Sequence, residues 1–305
     1  MSNKMINLCP NDNGESVIYL KSNSKAGVNK IDFSSTETYQ ADSNKIYNKP
    51  TLFRCIKCGL IFSEFYKTKF EENYRDVIDH AYIDQINYKK LYFENFTKKI
   101  LEFCSKDKSL LEIGAYYGAF GSIIKDHVKS YVGLELSEHA AKYAKEKYNL
   151  NILTYNAGEY LKTSNNFDII VMYDVIEHLD NPFQVLNNIS KKLNPNGILI
   201  FTTMNMDAFV PKLMGRRYPW IIFMHKFYFT NKSIKKILEQ KGLELIKIKR
   251  DTRIISMGYF MDKLAINFPT FKKLFFMVKK IKILSKLKIK VNFFDLNIYI
   301  AKKSS

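Results

Sequence analysis

From residue 109 onward, short apolar runs alternate with stretches of amphipathic spacing. The runs fall at Leu110–Ile113, Tyr131–Leu134, Ile152–Leu153, Asp168–Met172 and Ile198–Thr202, each the length of a buried strand. Between them, Glu138–Tyr148 and Pro182–Leu193 repeat apolar residues at helical spacing, and the second closes on Asn194-Pro195-Asn196-Gly197, a helix-ending sequence. Such alternation predicts right-handed βαβ units and a doubly wound parallel sheet. Leu243–Lys249 and Leu296–Ala301 add a sixth and a seventh strand. The fold class expected is therefore α/β, Rossmann-like, with seven strands. Upstream, Ile78–Phe103 reads as one proline-free helix, and Asn11–Pro50, rich in Ser, Asn, Lys and Thr, reads as loops with a few short strands. Three regions follow: a cysteine-containing, zinc-ribbon-like module over 1–75, the Rossmann-like domain over 76–255, and over 256–305 a basic insertion with the final strand of the same sheet.

Composition adds limits rather than a function. At 46% hydrophobic and 26% charged residues, the chain has the make-up of an ordinary globular protein. Its first 13 residues are polar, and no apolar run approaches the roughly 18 residues that span a bilayer, so a cytoplasmic chain is expected. Four cysteines are too few for a disulfide scaffold at this length. The net charge of +18, from 48 basic and 30 acidic residues, suits nucleic acid, anionic lipid or phosphorylated substrates. Much of it is concentrated in Phe271–Lys290, where Lys272, Lys273, Lys279, Lys280, Lys282, Lys286, Lys288 and Lys290 alternate with Leu, Ile, Val and Phe. Two readings compete there: contact with an anionic membrane, peripheral to its inner face, or a helix packed on the domain with lysine stems reaching water.

The strand–turn–helix Leu110–Phe120 lies where an open α/β sheet binds its ligand. A dinucleotide fingerprint would require glycines at 114, 116 and 119, but Tyr116 and Ala119 occupy two of these positions. Glu112, Gly114 and Gly118 instead resemble motif I of class I S-adenosylmethionine-dependent methyltransferases, and the resemblance runs in order over Ser109–Thr203. It implies S-adenosylmethionine as cofactor and an antiparallel last strand. By the same resemblance, Glu112 orients the methionine amine, with Gly114, Ala115, Tyr116 and Gly118 forming the surrounding loop. Tyr116 replaces the usual middle glycine, so that loop must differ locally. Glu135, 23 positions after Glu112 and followed by Leu136, closes strand two, where a carboxylate takes the ribose hydroxyls. Asn156 and Ala157 fall at the adenine position, and Tyr173 and Asp174, within Phe167–Leu179, would lie beside the sulfonium.

Cys55-Ile56-Lys57-Cys58-Gly59 is half of a zinc knuckle, with Cys9 as a third thiol and Asp12 as an oxygen donor. The alternative is an eroded ribbon whose cysteines only pack. Arg54–Phe62 resembles the zinc-binding leader of bacterial methyltransferases of sugar and surface-polysaccharide pathways, which implies structural zinc and a sugar or nucleotide-sugar acceptor. Methyl transfer requires alignment and acceptor deprotonation. The candidate bases are His178 and His225, the latter in the aromatic, basic stretch Arg217–Phe229. Asp174, Glu177 and His178, completed by His225, also resemble the metal-binding set of certain ubiquinone-pathway and small-RNA methyltransferases, although enzymes without metal share these residues. The expected activity is methyl transfer to a hydroxyl or carbon of a sugar or nucleotide-sugar, with nucleic acid not the expected partner. An RNA methyltransferase, which would need a Lys/Arg track to the site, and a non-catalytic cofactor-binding scaffold are the alternatives.

Overall fold

The computed structural model describes residues 8–22, 49–163, 165–292 and 294–304. Its leader carries β1 (Ser16–Leu20), β2 (Leu52–Cys55) and β3 (Ile61–Ser63), followed by α1 (His80–Asp84) and α2 (Ile86–Ile100). The large domain then runs β4 (Ser109–Ile113), α3 (Gly121–Ile124), β5 (Ser130–Leu134), α4 (Glu138–Tyr148), β6 (Ile152–Leu153), α5 (Ala157–Thr163), β7 (Phe167–Tyr173), α6 (Pro182–Lys192) and β8 (Leu193–Met204). After α7 (Phe209–Met214) and β9 (Phe227–Tyr228) come α8 (Asn231–Gln240), β10 (Leu243–Arg250), β11 (Arg253–Ser256), α9 (Met257–Asn267), α10 (Lys272–Lys280), α11 (Lys282–Ser285), β12 (Lys288–Val291) and β13 (Leu296–Lys303).

The main sheet has seven strands in the order β10-β13-β8-β7-β4-β5-β6. Strands β6, β5, β4, β7 and β8 are mutually parallel, and β13 inserts antiparallel between β8 and β10. Its central strands are apolar on both faces because helices cover both: Leu110, Leu111, Ile169, Ile170, Val171 and Ile200 have no exposed surface. Local chemistry fixes the helices. Ser137 caps α4 through the Ala140 N–H (3.1 Å), and left-handed Asn149 (φ 51°) closes it. Asn181 caps α6, with Pro182 at its first turn.

Two local expectations are corrected. The expected single helix over 78–103 is divided at Gln85, because buried Asp79 caps a separate turn by accepting the Tyr82 N–H (3.0 Å). Asn194–Gly197 does not terminate α6 outside the sheet but bulges within β8. The pairing steps from Phe167↔Leu193 to Ile169↔Ile198, Asn196 takes φ 61°, and the Asn194 amide donates to Asp168 (2.7 Å).

The leader and the large domain share a sheet. Antiparallel β1-β2-β3 gains its fourth strand from β9, with Ile61 opposite Tyr228 and Phe62 opposite Phe227. Phe62 and Phe227 enter the same apolar core as Leu111, Met172 and Leu199. The β10–β13 connection, expected as an insertion, is a β11–β12 ribbon carrying α9–α11.

Candidate active site

The loop after β4 turns through three left-handed residues, Gly114 (φ 80°), Tyr116 (φ 46°) and Gly118 (φ 73°). A Cβ on Gly118 would lie 2.7 Å from the Ala144 Cβ, so glycine permits α4 to approach. The strain of a non-glycine residue at 116 is offset by three contacts. The Tyr116 hydroxyl donates to Asp79 (2.8 Å), its ring packs on Tyr82 and Tyr117 (4.6 and 4.7 Å between centroids), and its N–H donates to Glu135 Oε2 (2.7 Å). The Ser137 N–H donates to the other Glu135 oxygen (2.8 Å).

Glu112 is buried beside this loop, where it accepts the Tyr131 hydroxyl. Burial pushes its carboxyl up to about 8, with the nearby charge of Glu135 adding to the effect. Burial also raises Glu135, against hydrogen bonds from Ser137, Tyr116 and Leu136 that lower it. Ala115 is buried, and Leu136 is half-buried. Asn156 caps α5 through the Gly158 N–H (2.8 Å) and donates its amide to Glu71, with Ala157 buried behind it.

At the end of β7, Tyr173 packs among Tyr92, Phe93 and Phe96 (5.1, 4.9 and 5.4 Å). Asp174 is left-handed (φ 47°), shares a 2.9 Å hydrogen bond with the Thr202 hydroxyl, and pairs with Arg253 (3.3 Å). Three residues on, Glu177 is buried with one carboxylate oxygen unpartnered, and burial pushes its carboxyl up to about 8, assisted by Asp174. The His178 and His225 rings meet edge to face at 4.6 Å. Burial depresses His178 to about 4, although Asp174 and the Met224 carbonyl oppose it. Burial, and then the neighbouring His178, place His225 well below the ordinary histidine range. His225 Nδ1 lies 2.9 Å from the Trp220 carbonyl, a contact that assigns the proton to Nδ1 and the lone pair to Nε2. Glu177, His178 and His225 each offer one donor atom within 4.8 Å of the others, a set able to hold a cation.

Cys9, Cys55 and Cys58 are buried and meet Asp12, their donor atoms all within 4.8 Å. Two turns build this cluster. One runs from Cys9 to Gly14 over left-handed Asn13 (φ 54°), the other from Cys55 to Leu60 over Gly59 (φ 79°). Sγ of Cys9 lies 3.6 Å from that of Cys58, and both cysteines are free thiols. Hydrogen bonding from Cys9, against burial, lowers Cys58 to about 7, while Cys9 itself is raised. Asp12 Oδ2 is buried without a partner. The cluster sits against α8, where Lys236 donates to the Lys57 carbonyl (2.7 Å) and Asn11 to Gln240 (2.9 Å). The leader reaches the histidines through a different segment: the Tyr74 hydroxyl lies 3.4 Å from His178 Nδ1.

The fold thus brings the predicted residues into three groups: Glu112, Glu135 and the 114–118 loop; Asp174 with Glu177, His178 and His225; and the cysteines. Sequence reading missed Arg253, Tyr74, Asp79 and Tyr82. Arg253 stacks 4.0 Å over the Trp220 ring while pairing with Asp174. No spacing rule links residues 37 positions apart, as Asp79 and Tyr116 are, or 79 apart, as Asp174 and Arg253 are, across elements. The Asp79 helix cap before His80 was the one local signal available.

The fold and this edge define the class. The chain belongs to the methyltransferase-domain family, whose family model matches residues 85–248. It is similar to the ubiquinone biosynthesis O-methyltransferase of Coxiella burnetii, 26% identical over 155 residues, or 47% of this chain and 66% of that protein. The enzyme of the same name from Rickettsia canadensis is 28% identical over 120 residues, 37% of this chain and 50% of that one. Each match spans less than two thirds of the relative's length. A SAM-dependent methyltransferase structure from Archaeoglobus fulgidus shares the fold, with TM-score 0.51 and 17% identity over 74% of this chain and 100% of that chain.

Proposed function

We propose that the protein transfers the methyl group of S-adenosylmethionine to a hydroxyl of a small-molecule acceptor. The observation that carries this reading is the packed pair of histidines, His225 buried and His178 half-buried, both depressed below the ordinary histidine range, at the same sheet edge as the Glu112–Glu135 loop. The chemistry of that loop fits the cofactor. Glu112 and Glu135 are buried carboxylates raised by burial, and a ligand bearing an ammonium and a sulfonium would relieve that penalty. Each Glu135 oxygen accepts one backbone N–H and keeps a second lone pair for a ribose hydroxyl. The adenine contacts fall to Asn156 and Ala157, with Tyr173 and Asp174 beside the reacting centre. When bound, the cofactor supplies an electrophilic methyl group. The chain's part is to align the acceptor and take its proton, which His225 Nε2 can do because burial keeps the ring neutral at neutral pH.

The leader's resemblance supports a sugar or nucleotide-sugar as acceptor. The names of the relatives favour a second reading, a ring hydroxyl of a ubiquinone precursor. Cys9, Asp12, Cys55 and Cys58 would hold a structural zinc, since the orphaned Asp12 oxygen and the low-lying Cys58 thiol suit a cation. S-adenosylhomocysteine should bind with micromolar affinity, and Glu135→Ala should weaken it by about 1–3 kcal/mol, the scale of unpaired hydroxyls. Calorimetry showing no binding to folded protein would overturn the cofactor reading. A methylated product from a panel of nucleotide-sugars and catechols would decide the acceptor.

A further inference from the structure

Residues 271–290 contain eight lysines and no aspartate or glutamate. All eight lysines are exposed. Packing an amphipathic helix on the domain would bury its apolar residues while the lysines reached water. The fold does otherwise. Leu274 (56%), Met277 (66%) and Ile281 (51%), spaced i, i+3 and i+7 along one stripe of α10 and its C-terminal cap, face solvent, as do Ile283 (80%) and Leu287 (46%). Eight of the 19 exposed large hydrophobics among the described residues lie between 271 and 287, so this is a patch and not scattered surface leucine. It is also held in place. The Tyr88 hydroxyl of α2 donates to the Lys286 carbonyl (3.0 Å), and β11, which carries Arg253 to Asp174, pairs with β12.

We propose that α10, α11 and β12 form a docking surface for an anionic phospholipid bilayer. Its apolar stripe enters the interface, and its lysines meet the headgroup phosphates. The charge matches, because no acidic residue interrupts the segment, and the only described ion pair on it joins Lys279 to Asp262 of α9. A polynucleotide would satisfy the lysines equally well. It would leave the Leu, Met and Ile side chains in water, so the exposed apolar stripe selects lipid. Among the described residues no helix is long and apolar enough to cross a membrane, so the attachment is peripheral. The ribbon that carries the patch also sends Arg253 to Asp174, so the docking surface and the histidine edge are joined through one element.

The test is sedimentation of the full chain with phosphatidylcholine vesicles and with phosphatidylcholine–phosphatidylglycerol vesicles, in low salt and then above about 0.5 M salt. Binding is expected only to the anionic vesicles and should be lost in high salt. Replacing Lys272, Lys273, Lys280 and Lys282 with Gln should reduce partitioning at least about 100-fold, since each lysine near the surface contributes roughly fivefold. Met277→Ser with Ile283→Ser should also weaken it, by roughly tenfold or more. Unchanged S-adenosylhomocysteine binding and melting would show that both variants fold. Failure of the unmodified protein to bind anionic vesicles in low salt overturns the proposal. Binding that ignores the serine pair also overturns it, and would point to a purely electrostatic polyanion site, to be checked with an RNA oligonucleotide.

Discussion

Lys226 tests how the leader is fastened to the histidine edge of the sheet. Its side chain is 1% exposed, yet its ammonium donates to the Thr68 carbonyl (2.6 Å) and to Asp180 Oδ1 (2.7 Å), 5.5 Å over the Phe70 ring. Its backbone N–H donates to the Glu177 carbonyl (2.9 Å), which sets neighbouring His225 beside His178. Lys226→Met keeps the stem and removes the charge. Breaking a buried pair by deleting one partner costs about 3–5 kcal/mol. Here Asp180 is 25% exposed and keeps the Phe70 N–H (3.0 Å), so water and that donor reduce the loss to about 2–3 kcal/mol. At about 2–4 °C per kcal/mol for a chain of this size, the melting midpoint should fall by about 4–12 °C. Urea denaturation read by tryptophan fluorescence is a direct assay, because the sole tryptophan, Trp220, accepts the His225 hydrogen bond through its carbonyl. Lys226→Met with Asp180→Asn should recover part of the loss, since no uncompensated carboxylate then remains. A change below about 0.5 kcal/mol would mean that the ammonium is solvated and that β9 pairing, the shared Phe62 core and the α8 contacts hold the leader without it.

Other outcomes follow from the same physics. Glu112 titrates near 8 in the fold against 4.5 for an unperturbed carboxyl, so its contribution to stability is complete below about 4.5 and is lost as pH rises through about 8. Glu112→Gln should flatten that decline in the cofactor-free protein, and denaturation midpoints from pH about 6 to about 9 that match the parent's slope would refute the assignment. Protein purified without chelators should carry about one zinc by elemental analysis, and Cys55→Ser should lose it and loosen the leader while sparing the main sheet; stoichiometry near zero would favour cysteines that only pack. His225→Ala should lower turnover by roughly 100-fold or more while leaving S-adenosylhomocysteine affinity unchanged, and a change confined to KM would make His225 an acceptor contact. Because His178 is held near 4 and His225 is also depressed, the acid limb of kcat/KM should lie below the ordinary histidine range of about 6.5.

Apolar periodicity determined the main sheet without help from tertiary contacts. Five parallel strands buried on both faces must be continuous apolar runs, and each run lay within about two residues of the observed strand, except β8, whose start the Asn194–Gly197 bulge conceals. The glycines at 114 and 118 and the acidic ends of β4 and β5 were legible because a tight turn at a sheet edge permits few residue types. The cysteine turns were legible for the same reason, through Cys55-x-x-Cys58-Gly59. What the sequence left open depends on contacts between distant segments. Nothing local shows that β9 completes the leader's sheet, that Tyr116 is tolerated because Asp79 holds its hydroxyl, or that Arg253 crosses from the β11 ribbon to Asp174. Nor can spacing say whether an apolar stripe on a lysine-rich helix is covered, since periodicity reports which residues share a face and not what meets that face. Burial likewise turned two unremarkable histidines into a neutral pair, because removal from water opposes the charged ring, and that removal exists only once β7 and the segment before β9 have come together.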